Sequence, residues 1–401
     1  MFELHLPWLE LAVLTPLAGA VLVGPLTDPE QARRRTLLLT GLTLMLTMGA
    51  WEDFSSLHTF EAHDHWSLLP TAASEAVIID ELSAPLLPLA ALLFFLTTLA
   101  TLRTKMLRFP FAWNLVSLGL VLAMLCCRAP WGIIALLSAQ TIPPLVELRA
   151  RGRSLRVFLL HIGLSTGLLV AGWAMIESEG PGAPHSILAV GMLIIALLIR
   201  CGAAPGHCWM TDLFENATLG TALLFVTPMA GAYAAVRLLL PVAPDWALRT
   251  IALVSLATAI YAAAMALVQR EARRLFVYLF ISQSSLVLIG LEVATPVGLA
   301  GGLCVWLSVG MSLAGLGITL RALEARTGRL SLVDYHGLYE HMPTLAAFFL
   351  LTGLASIGFP GTVGFVGMEL LVEAAVELYP LVGVLLVLAA ALNGVAVMHA
   401  Y

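Results

Sequence analysis

Apolar runs of about 20 residues recur along the whole chain of 401 residues, and they constrain its fold more than any other feature. A run of this length crosses the ~30 Å hydrocarbon core of a bilayer as an α-helix. The runs do not alternate apolar with polar residues, which argues against a transmembrane β-barrel. Charged residues make up only 11% of the chain, against about 25% in soluble domains. The sequence therefore predicts an all-α integral membrane protein.

Windows of about 19 residues predict about 13 transmembrane helices. The predicted spans are 8–26, 36–51, 83–103, 111–127, 131–149, 155–176, 186–204, 219–240, 249–269, 275–292, 295–322, 344–378 and 380–401. Two polar segments, 52–82 and 323–343, are longer than a tight turn, and neither is long enough for a folded domain.

The spans group into three parts: an N-terminal three-helix segment (1–110) and two five-helix repeats (111–240 and 249–401). Because a repeat with an odd number of helices reverses direction in the membrane, we expect the second repeat to be inverted relative to the first.

Basic residues cluster in the odd-numbered loops between these spans, and acidic residues cluster in the even-numbered ones. The positive-inside rule then predicts an N-terminus outside and a C-terminus inside. The seventh loop breaks the pattern, since it carries Asp212 and Glu215 and no basic residue. The first ten residues carry Glu3, His5 and Glu10 where a signal peptide has basic residues, so no cleavable signal peptide is predicted.

A first interrupted span begins at Arg200 and reads R-C-G-A-A-P-G-H-C-W-M-T-D. Proline and glycine break the apolar run, and His207 and Asp212 follow within a few turns. Broken helices are tolerated inside membrane proteins where their backbone lines a cavity or is covered by protein. A buried arginine is costly there unless it pairs or reaches the interface. Two interpretations of Arg200 remain: an interfacial residue near a helix end, or a residue of a polar axis inside the bundle.

A second interrupted span covers 356–369 and reads S-I-G-F-P-G-T-V-G-F-V-G-M-E. Beyond the break, Glu369, Glu373 and Glu377 recur at every fourth position and so share one helical face. Such a face indicates either a water-filled path or a surface turned toward loops and partner proteins.

Three further features are candidates for chemistry. His161, inside the predicted sixth helix, is a candidate for an ion path, with a hydrogen-bonded packing residue as the alternative. The run from Glu61 to His65 (E-A-H-D-H) contains metal-ligand types but lacks further spaced ligands, so we interpret it as a solvated outer loop and predict no metal site. The five cysteines lie mostly in or near apolar runs and are interpreted as small hydrophobic residues.

Several motifs together resemble a known family. Arg200 to Asp212 resembles K-x-x-x-x-P-x-H-x-W-L-P-D, and the segment 266–283 resembles A-L-x-Q-x-D-x-K-R-x-x-A-Y-x-S-x-S. The segment 354–367 resembles L-A-x-x-G-x-P-G-T-x-G-F-x-G. These motifs are similar to those of the antiporter-like membrane subunits of complex I (NADH:quinone oxidoreductase), membrane-bound hydrogenases and multisubunit cation/proton antiporters. The resemblance runs over about residues 76–401 and is strongest to the middle antiporter-like subunit of complex I.

The resemblance implies an antiporter-like bundle with a chain of buried ionisable residues across the membrane centre. Family members carry a glutamate on helix five, lysines on helices seven and eight, a histidine or lysine on helix eleven, and a lysine or glutamate on helix twelve. In this sequence the helix-seven lysine is Arg200. The other four positions fall at Ala139, Met229, Val309 and Met368, with Glu369 next to the last.

The chain contains a single lysine, Lys105, in a basic loop, so a relay of buried lysines cannot be built from it. Arginine does not replace lysine in this role because it keeps its proton at neutral pH. We therefore expect a non-catalytic membrane subunit of an ion-translocating or redox-linked complex with a degenerate proton path. It would act as a scaffold, or offer a partial proton or water path through Arg200, His207 and Glu369.

Two alternatives stay open: a membrane partner in inorganic-carbon (bicarbonate or CO2) uptake or another ion transport complex, and an active proton pump that uses histidines and carboxylates. In each case we expect other membrane and peripheral subunits as partners, a location in the lipid bilayer of the cell inner (cytoplasmic) membrane, and no bound cofactor or nucleic acid. The candidate ion-path residues are Arg200, His207, Asp212, Glu369 and His161.

Overall fold

The computed structural model describes residues 2–64, 77–180, 185–293, 295–334 and 336–401. Helices dominate it, as the continuous apolar runs predict. Within these residues, seven helical spans are long and apolar enough to cross a membrane, and five shorter apolar helices of 10–17 residues accompany them. The all-α membrane architecture is confirmed, and the number of 13 crossings stays a prediction.

The chain divides into two compact units, Met1–Gly152 with Gly220–Ala230, and Arg153–Leu219 with Gly231–Tyr401. The proposed division into an N-terminal segment and two inverted repeats stays a prediction. The helices of the first unit are α1 (Trp8–Val23), α2 (Pro29–Leu57), α3 (Ser83–Leu99), a 3₁₀ helix (Arg103–Arg108), α4 (Phe111–Cys126), α5 (Pro130–Ala139) and α6 (Ile142–Ala150). Helix α10 (Leu219–Val226) begins at the end of a second-unit segment and continues into the first unit.

The helices of the second unit begin with α7 (Arg156–Glu179), α8 (Ile187–Cys201), α9 (Cys208–Asn216), α11 (Ala230–Ala234) and a π-helix (Ala235–Leu239). They continue with α12 (Asp245–Leu267), α13 (Ala272–Glu292), α14 (Pro296–Ser308), a second π-helix (Val309–Leu313) and α15 (Ala314–Thr327). They end with α16 (Leu338–His341), α17 (Pro343–Ser356), α18 (Val363–Leu378) and α19 (Pro380–Ala400).

The segment 52–82, predicted as one polar connection, is partly ordered into regular structure. Helix α2 continues to Leu57, with Phe54 buried near its end. A small sheet follows, in the order β1 (Phe2–Leu4), β2 (Glu61–Asp64), β3 (Ile79–Asp80), with β1 and β2 parallel and β2 and β3 antiparallel. Because it pairs with both neighbouring strands, the run from Glu61 to Asp64 is a strand and not a solvated loop. Within it Ala62 is buried, and Glu61 forms an ion pair with Arg128. His65 lies outside the described residues.

The predicted span 131–149 is divided in the structure. Helix α5 ends at Ala139 and α6 begins at Ile142, directly before Pro143 and Pro144. Proline has no backbone N–H to donate and its ring disfavours a preceding helical turn, which explains the interruption.

Candidate functional site

The break between α8 and α9 lies where proline and glycine interrupt the predicted span. Helix α8 ends because Gly202 adopts a left-handed conformation, with φ of +77°, that closes the helix end: Ala203 N donates to Leu198 O at 2.8 Å. A cis Ala204–Pro205 peptide follows, and α9 starts at Cys208. Thr258 of α12 supports the exposed backbone here, since Ala204 N donates to its hydroxyl at 3.1 Å.

Arg200 lies in the last turn of α8 and is only 5% exposed. Its guanidinium carbon lies 5.9 Å from the ring centroid of Trp209, within the range of a cation–π contact. Trp209 is held in turn by its indole N–H, which donates to Ile199 O at 2.8 Å. Of the two interpretations of Arg200, this burial favours a residue inside the bundle over an interfacial one.

His207 lies at the entry to α9 between two tyrosines. Its ring centroid is 5.5 Å from that of Tyr261 on α12 and 6.0 Å from that of Tyr278 on α13, and the two tyrosine rings are 6.5 Å apart. The histidine is 9% exposed. The three rings form one aromatic cluster that holds the imidazole in place.

His161 on α7 lies near this cluster, within electrostatic range of His207. Its Nδ1 is 2.8 Å from Val157 O. Because a carbonyl oxygen only accepts, Nδ1 carries the hydrogen and Nε2 is left as the proton acceptor of the neutral ring. The structure therefore brings His161, His207 and their tyrosine neighbours into one region of the second unit.

A polar cavity of about 260 Å³ opens beside the cluster. In its wall, the Asp212 carboxylate accepts from the Asn216 amide at 3.0 Å, and Glu215 pairs with Arg274. The residues that line the cavity are Val157, Cys208, Thr211, Asp212, Glu215, Arg274 and Tyr278. The cavity thus lies between α7, α9 and the start of α13, with two carboxylates and one guanidinium in its lining.

A bidentate ion pair fixes the same end of the second unit. Arg273 donates through Nε and Nη2 to the Glu324 carboxylate, at 2.7 and 2.6 Å, and through Nη1 to Phe214 O at 3.0 Å. The side chains are 16% and 8% exposed. The start of α13 therefore connects the end of α9 to α15 through one arginine.

The remaining candidate, Glu369, lies in a different environment. It is exposed on α18, and so are Glu373 and Glu377 on the same face. Of the two interpretations of this acidic face, exposure on the chain agrees with a surface turned toward loops or partners. The structure buries Arg200 and His207 inside the chain and leaves Glu369 on its surface.

Of the four positions predicted to have lost family residues, two have an unusual backbone. Met229 has a positive φ of 51°, and buried Val309 begins the second π-helix. Single-turn π-helices occur often at functional sites. Ala139 ends α5, and Met368 is half-buried on α18. Their assignment to family positions stays a prediction.

Sequence reasoning missed three residues of interest. Glu147 on α6 is 7% exposed and accepts a hydrogen bond from the Thr221 hydroxyl. A carboxylate inside a predicted span was the signal that could have identified it. Tyr261 and Tyr278 gave no such signal, because aromatic residues in apolar runs have the same pattern as packing residues.

Comparisons with known proteins match this fold. The family model described as "NADH:quinone oxidoreductase/Mrp antiporter, TM" matches residues 157–393. NAD(P)H-quinone oxidoreductase chain 4 of Synechococcus sp. (strain WH7803) is 28% identical over 413 residues, covering 91% of this chain and 72% of the relative. NADH-quinone oxidoreductase subunit M of Rickettsia conorii is 33% identical over 181 residues, covering 44% of this chain and 36% of the relative.

Solved structures of other proteins have a similar fold. A chain of respiratory complex I from Thermus thermophilus with bound NADH has a TM-score of 0.86 at 26% identity, with 98% of this chain and 87% of that chain covered. A chain of the Mrp complex from Dietzia sp. has a TM-score of 0.83 at 17% identity, with 98% and 79% covered, which shows the shared fold.

Proposed function

The chain belongs to the NADH:quinone oxidoreductase/Mrp antiporter transmembrane family, and from this premise we propose that it keeps the fold and position of an antiporter-like subunit without a lysine-based proton path. It is an antiporter-like membrane subunit of the complex I and Mrp type. In our proposal it serves mainly as a scaffold that seals and spaces neighbouring subunits in a larger assembly.

One observation carries the proposal: the only lysine is Lys105, which is exposed in the 3₁₀ helix Arg103–Arg108, outside the membrane spans. Lysine suits a buried relay because burial lowers its pKa enough for the proton to leave. The buried cation of this chain at the broken helix is Arg200, and a guanidinium holds its proton at neutral pH. Arg200 therefore provides a fixed positive charge and does not act as a proton carrier.

Proton flux measured on the purified chain in proteoliposomes tests this proposal. We expect no flux above that of protein-free vesicles when a pH gradient and a membrane potential are applied. Flux that disappears in a His207→Gln or Asp212→Asn variant would contradict the proposal and support an active pump based on histidines and carboxylates. Flux that requires bicarbonate would instead support the inorganic-carbon alternative.

Purification through a tag on this chain in mild detergent, with mass spectrometry of the bound proteins, tests its place in an assembly. We expect redox or antiporter subunits to accompany it, because several solved structures similar to this chain are chains of multisubunit complexes. Recovery of the chain alone, or with a single soluble partner, would contradict this part of the proposal. We also propose an inner-membrane location with the N-terminus outside, which the distribution of basic loop residues supports.

A further inference from the structure

We propose that the first unit binds an anionic phospholipid at a basic patch, with the lipid phosphate against the basic side chains and an acyl chain along α2. The patch consists of Arg33, Arg34 and Arg35 near the start of α2, and of Arg103 and Lys105 in the 3₁₀ helix that follows α3. The inference goes beyond the proposed function and does not rest on it, because a lipid site is compatible with a scaffold and with a conducting subunit.

Two contacts bring the two segments of the patch together. Arg33 Nη2 donates to Leu99 O at 2.9 Å, which joins the start of α2 to the last residue of α3. One carboxylate oxygen of Glu30 accepts from Arg34 Nη2 at 2.7 Å and lies 3.6 Å from Arg103 Nη2. Basic side chains that are far apart in the sequence therefore lie side by side at one end of the unit.

The patch carries more positive charge than its own acidic residues compensate. Asp28 and Glu30 are the only acidic residues within ten sequence positions of the patch residues. With these two carboxylates set against the five basic side chains, the patch has a net charge of +3. Arg35 and Lys105 are exposed, and neither forms an ion pair or a side-chain hydrogen bond with the residues that the structure describes. Two cations are thus free to bind an anion.

Exposed apolar side chains adjoin these cations. Leu38 lies one helical turn beyond the arginines of α2 and is 74% exposed, and Leu107 of the 3₁₀ helix is 85% exposed. Leu42 and Met45, also exposed, follow Leu38 at spacings of four and three residues and so continue one stripe along α2. A ligand that uses both parts of this surface has an anionic head and an apolar chain.

An anionic phospholipid has this chemistry. Clusters of lysine and arginine next to a membrane-spanning helix bind anionic lipid headgroups, and each cation near the headgroup contributes to the affinity. Exposed leucine beside lysine and arginine is typical of helices at the boundary between headgroups and acyl chains. A soluble anion or a nucleic acid would use the charges and leave Leu38 and Leu107 without a partner.

Quenching by brominated lipids measures which lipid occupies the stripe. A fluorophore is attached through Leu42→Cys after the native cysteines are replaced by alanine, and the full chain is placed in nanodiscs. The nanodiscs contain equal amounts of phosphatidylglycerol and phosphatidylcholine, and either one or the other is brominated in its acyl chains. A fluorophore attached through Val387→Cys, on exposed surface of α19, gives the reference, because α19 contains no lysine or arginine.

We expect a preference for phosphatidylglycerol of roughly 20-fold beside position 42, since each of the two free cations contributes roughly fivefold, and no preference at position 387. In the double variant Arg35→Gln with Lys105→Gln the preference falls close to one. In the matched control, Arg153→Gln with Arg249→Gln, it remains, although two exposed arginines from separate loops are removed. Added salt lowers the preference of the native chain, because it screens exposed charges.

Equal quenching by the two lipids beside position 42, an unchanged preference in the double variant, an equal loss in the control, or no effect of salt would each overturn the inference. Displacement of the lipid by an excess of inorganic phosphate would also overturn it, because phosphate has no acyl chain to hold. In the assembly purified through the tag, quenching at position 42 by phosphatidylglycerol supports the site, whereas protection from both lipids would assign the patch to a partner protein. Proton flux bears only on the proposed function, so the two can fail separately.

Discussion

The two interrupted membrane segments of this chain share a local design and differ in what surrounds them. The first lies between α8 and α9, and the second lies between α17 and α18. Each contains a glycine in the left-handed region, with φ of +77° at Gly202 and +83° at Gly358, and each contains a proline. The first buries its histidine and its arginine, although Pro205 and Cys208 within it are exposed, and we call it the covered break; in the second, the exposed break, Phe359 and Glu369 are exposed.

In both segments proline and glycine create the break, and the packing around the break decides what it is used for. The covered break keeps its ionisable groups inside the chain, beside a cavity. The exposed break presents Glu369, Glu373 and Glu377 outward from an apolar helix, where bare lipid would make each carboxylate costly. We infer that the first serves internal chemistry and that the second serves contact with another subunit.

The largest expected effect tests the ion pair that connects α15 to the end of α9, the helix that follows the covered break. Arg273→Ala removes one partner of a part-buried bidentate pair and leaves the Glu324 carboxylate 8% exposed without its cation. We expect a loss of about 3–5 kcal/mol in the free energy of unfolding, measured by denaturation of the purified chain in detergent.

The matched control is Arg274→Ala in the adjacent position. Its pair with Glu215 has side chains that are 50% and 30% exposed, so we expect a loss within about 1 kcal/mol. Equal losses in the two variants would show that the Arg273–Glu324 pair does not stabilise the chain more than an exposed ion pair does.

The second effect tests the packing of the exposed break. A Cβ at Gly367 would lie 2.7 Å from Val305 N, which is backbone of α14 and cannot move aside alone. We therefore expect Gly367→Ala to cost about 1–3 kcal/mol, by the same denaturation measurement. Gly163→Ala is the control, since nothing lies within 4 Å of its Cβ position. A neutral Gly367→Ala would refute close backbone packing at this break.

The third effect concerns Asp64, which lies outside both breaks, and it measures how stability depends on pH in another part of the chain. Burial raises the pKa of Asp64, in β2, from 3.8 to about 6, although its carboxylate accepts from the amides of Leu9 and Glu10. Between these values the folded state holds a proton that the unfolded state has lost, so stability falls as the pH rises from about 4 to about 6 and is flat above. Asp64→Asn is expected to remove this slope. An identical slope in the variant would assign the pH dependence to other groups.

The smallest effect on the isolated chain is expected at the acidic face. Glu369→Gln changes an exposed side chain, so the free energy of unfolding should shift by less than about 0.5 kcal/mol. In the tagged assembly the same variant should recover less of the neighbouring subunits than Glu340→Gln, a control at an exposed residue of α16. Equal recovery in the two variants would remove the partner role from the second break.

The sequence alone predicts the helical membrane fold, both breaks and the family, because length, hydropathy and the positions of proline and glycine act locally. It does not decide the environment of Arg200, since an arginine near a helix end reaches the interface or turns inward depending on residues far along the chain. The sequence does not identify Tyr261 and Tyr278 for a related reason: which aromatic residues contact a histidine depends on how the helices pack. Strand β2 is too short for its pattern to be distinguished from a loop.

Restoring the missing charges tests most directly the claim that this chain keeps an antiporter-like fold and has lost its proton path. Proton flux is measured in proteoliposomes with the native chain and with a variant carrying Ala139→Glu, Arg200→Lys and Met229→Lys. The account predicts no flux for the native chain and measurable flux for the restored one. Equal flux from both chains, abolished in the native chain by His207→Gln, would contradict it.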